Sequence, residues 1–216
     1  MRPDEPSPAP AETPPGGEAA RPSPARSARR ALWEIAQTAV QALALYLIVT
    51  AFIGRFEVHQ ISMEPNFHEG QRVVVSQFGS LVTPWLADTA YAADGRVAQL
   101  LGPKRGQVVV FHPDAERQQD PLIKRVIGLP GETVEVRDGA VWVNGRRLDE
   151  PYLNGMVTTC YGQCAPLTLG PDEYFVLGDN RPNSRDSRAF GAIHLDQIVG
   201  RVVLRYWPLD TFQVYP

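Results

Sequence analysis

The sequence predicts a mainly β, antiparallel domain carried behind a single N-terminal transmembrane helix. Three observations lead to this prediction. One run of about 23 residues near the N-terminus is almost free of charge. After it come short β-branched and aromatic runs separated by turn-forming residues. No long amphipathic helical pattern follows the apolar run. With 44% hydrophobic and 21% charged residues, the chain has the composition of a folded protein.

Residues 1–30 precede the apolar run and are rich in Pro, Ala, Ser, Gly and charge. Such a segment cannot bury enough apolar surface to offset the entropy cost of ordering, so it is predicted to be a disordered tail. It ends in a basic cluster made of Arg21, Arg26, Arg29 and Arg30.

The apolar run covers residues 31–53 and, at 1.5 Å per residue, would form a helix of roughly 34 Å, enough to cross a bilayer. A buried core helix is one alternative. A cleavable signal peptide is another, because Val49-Thr50-Ala51 resembles a small-residue cleavage site, but the run and its leader are long for that class. An uncleaved anchor is favoured. The arginines before the run, against Arg55 after it, predict a cytoplasmic N-terminus and an extracytoplasmic domain over residues 54–216.

The domain is predicted to be built from short strands. Thr133–Arg137 and Ala140–Val143 flank Asp138-Gly139, a strong hairpin signal, and Asn144-Gly145 offers another turn, so a hairpin insertion is expected around 133–172. Residues 81–101 are either helical or a surface excursion. The remaining predicted strands are Gln71–Val75, Gly106–Phe111, Glu173–Leu177 and Ile198–Trp207.

Composition and missing motifs exclude several functions. The net charge of −3 and the lack of a basic run with interleaved aromatics argue against nucleic acid as a partner. No His-Glu-x-x-His or acidic cluster occurs, so neither a metal nor another cofactor is expected. Without a Gly-x-Ser-x-Gly elbow, a Ser–His–Asp triad is disfavoured. Cys160 and Cys164 are consistent with a small disulfide loop or with two free thiols.

Two residues suggest a different hydrolytic chemistry. Ser62, in Ser62-Met63-Glu64-Pro65, follows the apolar run by about nine residues. Lys124, one of only two lysines, lies among apolar neighbours on a predicted strand. Burial lowers the pKa of a lysine, and a neutral amine can take the proton of a serine hydroxyl. The simpler interpretation is a turn serine and a lysine whose ammonium reaches solvent.

A third segment, Gly178–Arg188, concentrates Asp, Asn, Arg and Ser side chains in eleven residues after a strand. It is either a polar surface loop or a buried network, and the spacing of its Asp and Arg residues favours the network.

Together these segments resemble the bacterial type I signal peptidases, or leader peptidases. The resemblance covers roughly residues 31–208. It rests on the order of an anchor, Ser-Met-x-Pro, Gly-x-Val-Val-Val-Phe, Lys-Arg-Val-Ile-Gly-Leu-Pro-Gly-Glu and Gly-Asp-Asn-Arg-x-x-Ser-x-Asp-Ser-Arg. The segment Val143–Tyr152 also matches a recurrent part of that family. The last two boxes, in this order, are the most specific.

The resemblance implies Ser62 as nucleophile and Lys124 as general base. It also implies that Ser184 hydrogen-bonds the lysine amine, that Asp186 and Arg188 form a supporting ion pair, and that Asp179 lies near that pair. The Ser62 N–H would donate to the oxyanion.

Val58 and Ile123 would line pockets for small side chains, which implies an Ala-x-Ala preference. Gln60 stands where many members have Ser and others Gly, which leaves the second oxyanion donor open. Asn66 replaces a usual Thr.

The expected function is removal of signal peptides from exported preproteins at the outer face of the plasma membrane, with those peptides and the lipid bilayer as partners. One alternative is a peptidase of the same family dedicated to one substrate, and another is a self-cleaving regulator of the repressor type. The third is a single-pass protein displaying a non-enzymatic β-rich binding module.

Overall fold

A computed structural model describes residues 24–77, 100–114, 116–162 and 164–215. The chain divides into two compact units between Leu45 and Tyr46. The predicted tail over residues 1–23, and most of the segment 81–101 whose structure was left open, lie outside the described residues.

Helix α1 spans Pro24–Phe52 and begins seven residues before the predicted start. Residues 24–30 are therefore helical, although they were expected to belong to the disordered tail. Proline is favoured at a first helical position, and the Ala and Arg residues that follow are strong helix formers. Within α1, Leu32–Thr50 is long and apolar enough to cross a membrane. Its large apolar side chains are exposed, so it is not the buried core helix considered as an alternative.

Twelve strands form two antiparallel sheets among the described residues. They are β1 (Ile53–Glu57), β2 (Arg72–Ser76), β3 (Val108–Phe111), β4 (Leu122–Gly128), β5 (Thr133–Arg137), β6 (Ala140–Val143), β7 (Arg146–Arg147), β8 (Leu167–Thr168), β9 (Glu173–Leu177), β10 (Ile193–His194), β11 (Ile198–Trp207) and β12 (Gln213–Val214). The large sheet has the order β1-β2-β11-β3-β4-β9-β10, and β12 pairs with β11. The mainly β, antiparallel prediction is confirmed.

The small sheet has the order β7-β6-β5-β8 and occupies the predicted insertion. Its β5–β6 hairpin turns at Asp138 and Gly139, which have φ values of 53° and 71°. Two positive φ values favour Asp-Gly at a two-residue hairpin turn, so the sequence signal and the geometry agree. The turn at Asn144-Gly145 is also present and joins β6 to β7. After β7, Cys160 and Cys164 are joined by a disulfide.

Both faces of the large sheet are covered, which explains why strand β3 is buried along its whole length. Val109 and Phe111 pack in one apolar cluster, while Val108 and Val110 pack in another. Successive residues of a strand point to opposite faces, so these clusters lie on opposite sides of the sheet. A third cluster joins β4 and β9 to the small sheet.

Short helical segments connect the strands. They are the 3-10 turns Ile61–Met63, Pro151–Leu153, Arg181–Asn183, Leu195–Gln197 and Leu209–Thr211, and the one-turn helix α2 (Ser187–Phe190).

Candidate active site

Ser62 lies on the 3-10 turn Ile61–Met63 between β1 and β2 and is 3% exposed. The buried side chain of Met63 fixes the turn in the core. Two hydrogen bonds from Asn180 hold the turn from the other side, because its N–H donates to the Ser62 carbonyl at 3.0 Å and its Nδ2 donates to the Ile61 carbonyl at 3.1 Å. The backbone of Ser62 is therefore tied to the polar loop that follows β9.

Lys124 lies in β4, paired with Val109 of β3, and only 1% of it is exposed. Its Nζ is 2.6 Å from the Ser62 Oγ and 2.9 Å from the Ile123 carbonyl oxygen. Burial lowers the pKa of Lys124 to about 8, while the negative charges of Asp186 and Asp179 oppose that shift. An amine with this pKa, in contact with a serine hydroxyl, is able to accept its proton near neutral pH.

The loop Gly178–Arg188 contains the Asp186–Arg188 ion pair that the family resemblance implied. Arg188 donates from Nε to the Asp186 Oδ1 at 2.8 Å and from Nη2 to Oδ2 at 2.7 Å, and both residues are fully buried. The Asp186 carboxylate also accepts from the Gly178 N–H at 3.1 Å and caps helix α2. Every one of these contacts fixes the backbone of the loop.

Asp179, which the resemblance placed near this pair, has its own partners. Its carboxylate accepts two hydrogen bonds from Arg125, the residue after Lys124, and one from the Asn66 Nδ2 at 2.8 Å. Arg125 also donates to the Gly106 carbonyl at 2.7 Å. The guanidinium matches the carboxylate in shape and charge. The hydrogen-bonding capacity of the Asp179 carboxylate is therefore satisfied by Arg125 of β4 together with Asn66.

Ser184 does not make the hydrogen bond to Lys124 that the resemblance implied. Its Oγ is buried and has no hydrogen-bond partner among the described residues. The amine of Lys124 instead turns back to the carbonyl of Ile123 in its own strand. The Ser184 hydroxyl lies beside Gly178 and the Ser62 carbonyl, since a Cβ on Gly178 would be 2.1 Å from the Ser184 Oγ and 2.4 Å from the Ser62 O.

Val58 and Ile123 face one cavity of about 350 Å³, next to the turn that carries Ser62. Both side chains are buried, and Val73 and Val110 add to its apolar lining. Gln60 also lines this cavity. It is exposed and extended, and its side chain does not cap the 3-10 turn.

Sequence reasoning assigned no role to several residues that complete this polar network. Arg181 is fully buried and binds Glu150 through two hydrogen bonds, of 2.5 and 3.1 Å. Arg125 and Glu150 both lie in segments on which the family resemblance rests, so the sequence could have indicated that these two residues matter. Tyr161, which contacts the loop, had no comparable sequence signal.

Among the described residues, no group of three His, Cys, Asp or Glu side chains is placed to hold a metal ion.

Comparisons with known proteins bear on this site. A family profile described as signal peptidase, peptidase S26, matches residues 32–207. Signal peptidase IB of Staphylococcus aureus is 35% identical over 194 residues, which cover 83% of this chain and 91% of that protein. A probable signal peptidase I-2 of Synechocystis is 34% identical over 181 residues, or 82% of this chain and 73% of that one. A crystal structure of a signal peptidase I from Enterococcus faecalis is similar with a TM-score of 0.39 and 38% identity, covering 46% of this chain and 95% of that chain.

Proposed function

Because the chain belongs to the signal peptidase family, peptidase S26, and is thus a peptidase acting on signal peptides, we propose that it cuts them with Ser62 as nucleophile and Lys124 as general base. The observation that carries this proposal is the 2.6 Å contact between the Ser62 Oγ and the Lys124 Nζ at a buried position. No other serine and lysine of the described residues share such a contact.

The proposed reaction follows from the chemistry of the pair. Lys124 accepts the proton of the Ser62 hydroxyl as its oxygen attacks the scissile carbonyl, and then gives that proton to the departing amine. The products of this step are the mature protein and an ester of the signal peptide with Ser62. Water, deprotonated by the same amine, hydrolyses that ester. With a pKa of about 8, about one Lys124 amine in ten is neutral at pH 7.

The negative oxygen of the tetrahedral intermediate needs hydrogen-bond donors. We assign one to the Ser62 N–H, because the first N–H groups of a helical turn have no acceptor within that turn. We assign the second to the side-chain amide of Gln60, which precedes this turn and lines the same cavity.

The supporting residues are proposed to act on the amine and on the loop. Asp186 and Arg188 hold the loop, and Asp179 fixes it to β4 through Arg125. When Lys124 receives the Ser62 proton it becomes an ammonium with three N–H donors, and two acceptors already surround it. We assign the third to the Ser184 hydroxyl, which is buried without a partner among the described residues.

Specificity for small residues before the cut is proposed to come from the cavity at Val58 and Ile123. Their buried apolar side chains favour small apolar groups and offer nothing to a charged one. This supports an Ala-x-Ala preference.

Helix α1 is proposed to be a transmembrane anchor in the plasma membrane, with the N-terminus in the cytoplasm and residues 54–216 outside. Its apolar stretch Leu32–Thr50 is long enough to span a bilayer, and arginines precede it. The apolar segment of the substrate also enters the bilayer. Tethering the peptidase there raises the effective concentration of the substrate at the active site.

Family membership sets aside the non-enzymatic alternative, and the apolar helix argues against a repressor-type regulator. A peptidase dedicated to one substrate is separated from a general one by assaying several unrelated preproteins.

The test compares Ser62→Ala and Lys124→Arg with wild type on a purified preprotein in detergent. Loss of a nucleophile or its base is expected to lower kcat by about 10⁴-fold or more. Ser76→Ala in β2 and Lys104→Arg are matched controls, and both should retain wild-type cleavage. Cleavage at the wild-type rate by either site variant would end the proposal.

A further inference from the structure

One segment outside the loop Gly178–Arg188 makes several hydrogen bonds to the side chains of that loop. We call residues 150–162, which follow strand β7, the strap. The Glu150 carboxylate and the Thr158 hydroxyl bind the guanidinium of Arg181. The Thr159 carbonyl accepts from the Arg188 Nη1 at 2.9 Å. The strap thus satisfies the two buried arginines of the loop.

Tyr161 is a residue of the strap whose side chain contacts the backbone of the loop. Its hydroxyl lies within hydrogen-bonding distance of the Ser184 carbonyl oxygen and 3.3 Å from the Arg181 carbonyl oxygen. Its ring lies 4.2 Å from the Arg188 guanidinium. Tyr161 itself is 42% exposed, whereas the three loop residues that it contacts are buried. Burial therefore does not fix this side chain, and its contacts with the loop do.

Two features bring Tyr161 to this position. The disulfide between Cys160 and Cys164 closes a short ring that contains it. Next to it, Gly162 approaches the loop so closely that a Cβ there would be 2.2 Å from the Arg188 carbonyl oxygen. Only glycine allows the strap to pass at this distance. The strap is therefore fitted to the loop at the level of its backbone.

The contacts continue from Tyr161 to the dyad in a few steps. Tyr161 packs on Arg188, and Arg188 grips Asp186 with two hydrogen bonds. Asp186 accepts from the Gly178 N–H, and Gly178 lies against the carbonyl of Ser62. A continuous series of contacts thus connects Tyr161 with the backbone of the proposed nucleophile.

We infer that Tyr161 is a positioning residue for the Ser62–Lys124 dyad and that the Cys160–Cys164 disulfide acts by fixing it. The inference rests on the proposed function of that dyad. Tyr161 does not touch substrate or the reacting atoms. It keeps the loop against β4, which excludes water from Lys124 and holds the Ser62 carbonyl in place.

Tyr161→Phe tests the role of the hydroxyl because it keeps the ring on Arg188 and removes only the contacts with the two carbonyl groups. We expect kcat on a preprotein to fall about tenfold with KM within about twofold, since a buried carbonyl loses its donor. If the looser loop admits water to Lys124, its pKa rises and the low-pH limb of kcat moves to higher pH. Titration with a serine-directed acylating inhibitor gives the active fraction, so kcat is counted per correctly folded molecule. Tyr206→Phe in β11 is the matched control, because its hydroxyl has no hydrogen bond among the described residues.

The disulfide is tested with Cys160→Ser combined with Cys164→Ser. This variant should lower kcat in the same direction, and adding Tyr161→Phe should lower it by less than the product of the two separate effects. Such non-additivity is expected when one change acts through the other. Fully multiplicative losses would contradict a disulfide that acts through Tyr161.

The inference is overturned if Tyr161→Phe, per active molecule, has the kcat and the low-pH limb of wild type. A lower active fraction with unchanged kcat would show a role in folding alone, which also overturns it. Ser62→Ala, assayed in parallel, separates this failure from that of the proposed function. If Ser62→Ala is inactive while Tyr161→Phe equals wild type, the dyad stands and only the positioning role is lost.

Discussion

Asp179 and Arg125 form a two-pronged ion pair in which Nε lies 2.8 Å from Oδ1 and Nη2 lies 2.6 Å from Oδ2. The pair joins the loop Gly178–Arg188 to β4 at the residue that follows Lys124. Asp179 is fully buried, and its negative charge raises the pKa of Lys124 against the larger lowering effect of burial. By offsetting the charge of Asp179, Arg125 limits the extent to which that carboxylate raises the pKa of Lys124.

Arg125→Lys is predicted to weaken this arrangement, because lysine cannot form two parallel hydrogen bonds with one carboxylate. The less neutralised Asp179 should raise the pKa of Lys124, so kcat/KM at pH 7 should fall by about tenfold and its low-pH limb should move to higher pH. A pH–rate profile of preprotein cleavage measures both effects. Arg201→Lys, an exposed position in β11, is the control, and equal profiles for the two variants would count against this role.

The wild-type enzyme is predicted to become more active as pH rises. Protonated Lys124 cannot accept the Ser62 proton, so kcat/KM should increase about tenfold per pH unit below the pKa and level off above about pH 8. Initial rates between pH 5.5 and about 9.5 give the profile over that range. A rate independent of pH over this interval would disagree with a titrating amine as the base.

Gly178→Ala is predicted to inactivate the enzyme without removing any proposed catalytic group. The added Cβ would be 2.1 Å from the Ser184 Oγ and 2.4 Å from the Ser62 carbonyl oxygen, so one of them must move. Misplacement on this scale costs about 100-fold in rate. Gly170→Ala is a suitable control because its nearest contact, at 3.3 Å, is with the flexible side chain of Glu173. Cleavage by Gly178→Ala at the rate of Gly170→Ala would show that the contact is not needed.

Gln60→Ala tests the assignment of the second oxyanion donor. Removal of one such donor is expected to lower kcat by roughly 100-fold or more with little change in KM. Single-turnover rates of acylation, measured at saturating preprotein, report the step in which the oxyanion forms. Wild-type acylation by the variant would move the assignment to a backbone N–H.

Local patterns predicted the strands and the hairpins well because the determinants are short-range. The runs around Val109 and Val134 are β-branched, and Asp138-Gly139 provides the two positive φ values of its turn. The start of α1 was predicted too late because residues 24–30 have a tail-like composition but are mostly helix formers.

Which buried Asp or Glu pairs with which buried Arg depends on tertiary geometry. These ion pairs were predicted less well than the strands and hairpins. The Asp186–Arg188 pair is local, with one residue between the partners, and the family resemblance implied it. Asp179 and Arg125 are 54 residues apart, and Arg181 and Glu150 are 31 apart. Which carboxylate meets which guanidinium at such separations depends on loop torsions that composition and spacing do not encode.

The most direct test of the account is the pKa of the Lys124 amine. The chain contains only two lysines, so lysine labelled with ¹⁵N at the side-chain amine (Nζ), in a Lys104→Arg background, gives a single NMR signal from position 124. We predict that this signal titrates with a pKa of about 8. A titration near the ordinary lysine value of about 10.4 would show a hydrated, charged amine and would contradict the proposed role of Lys124 as the general base.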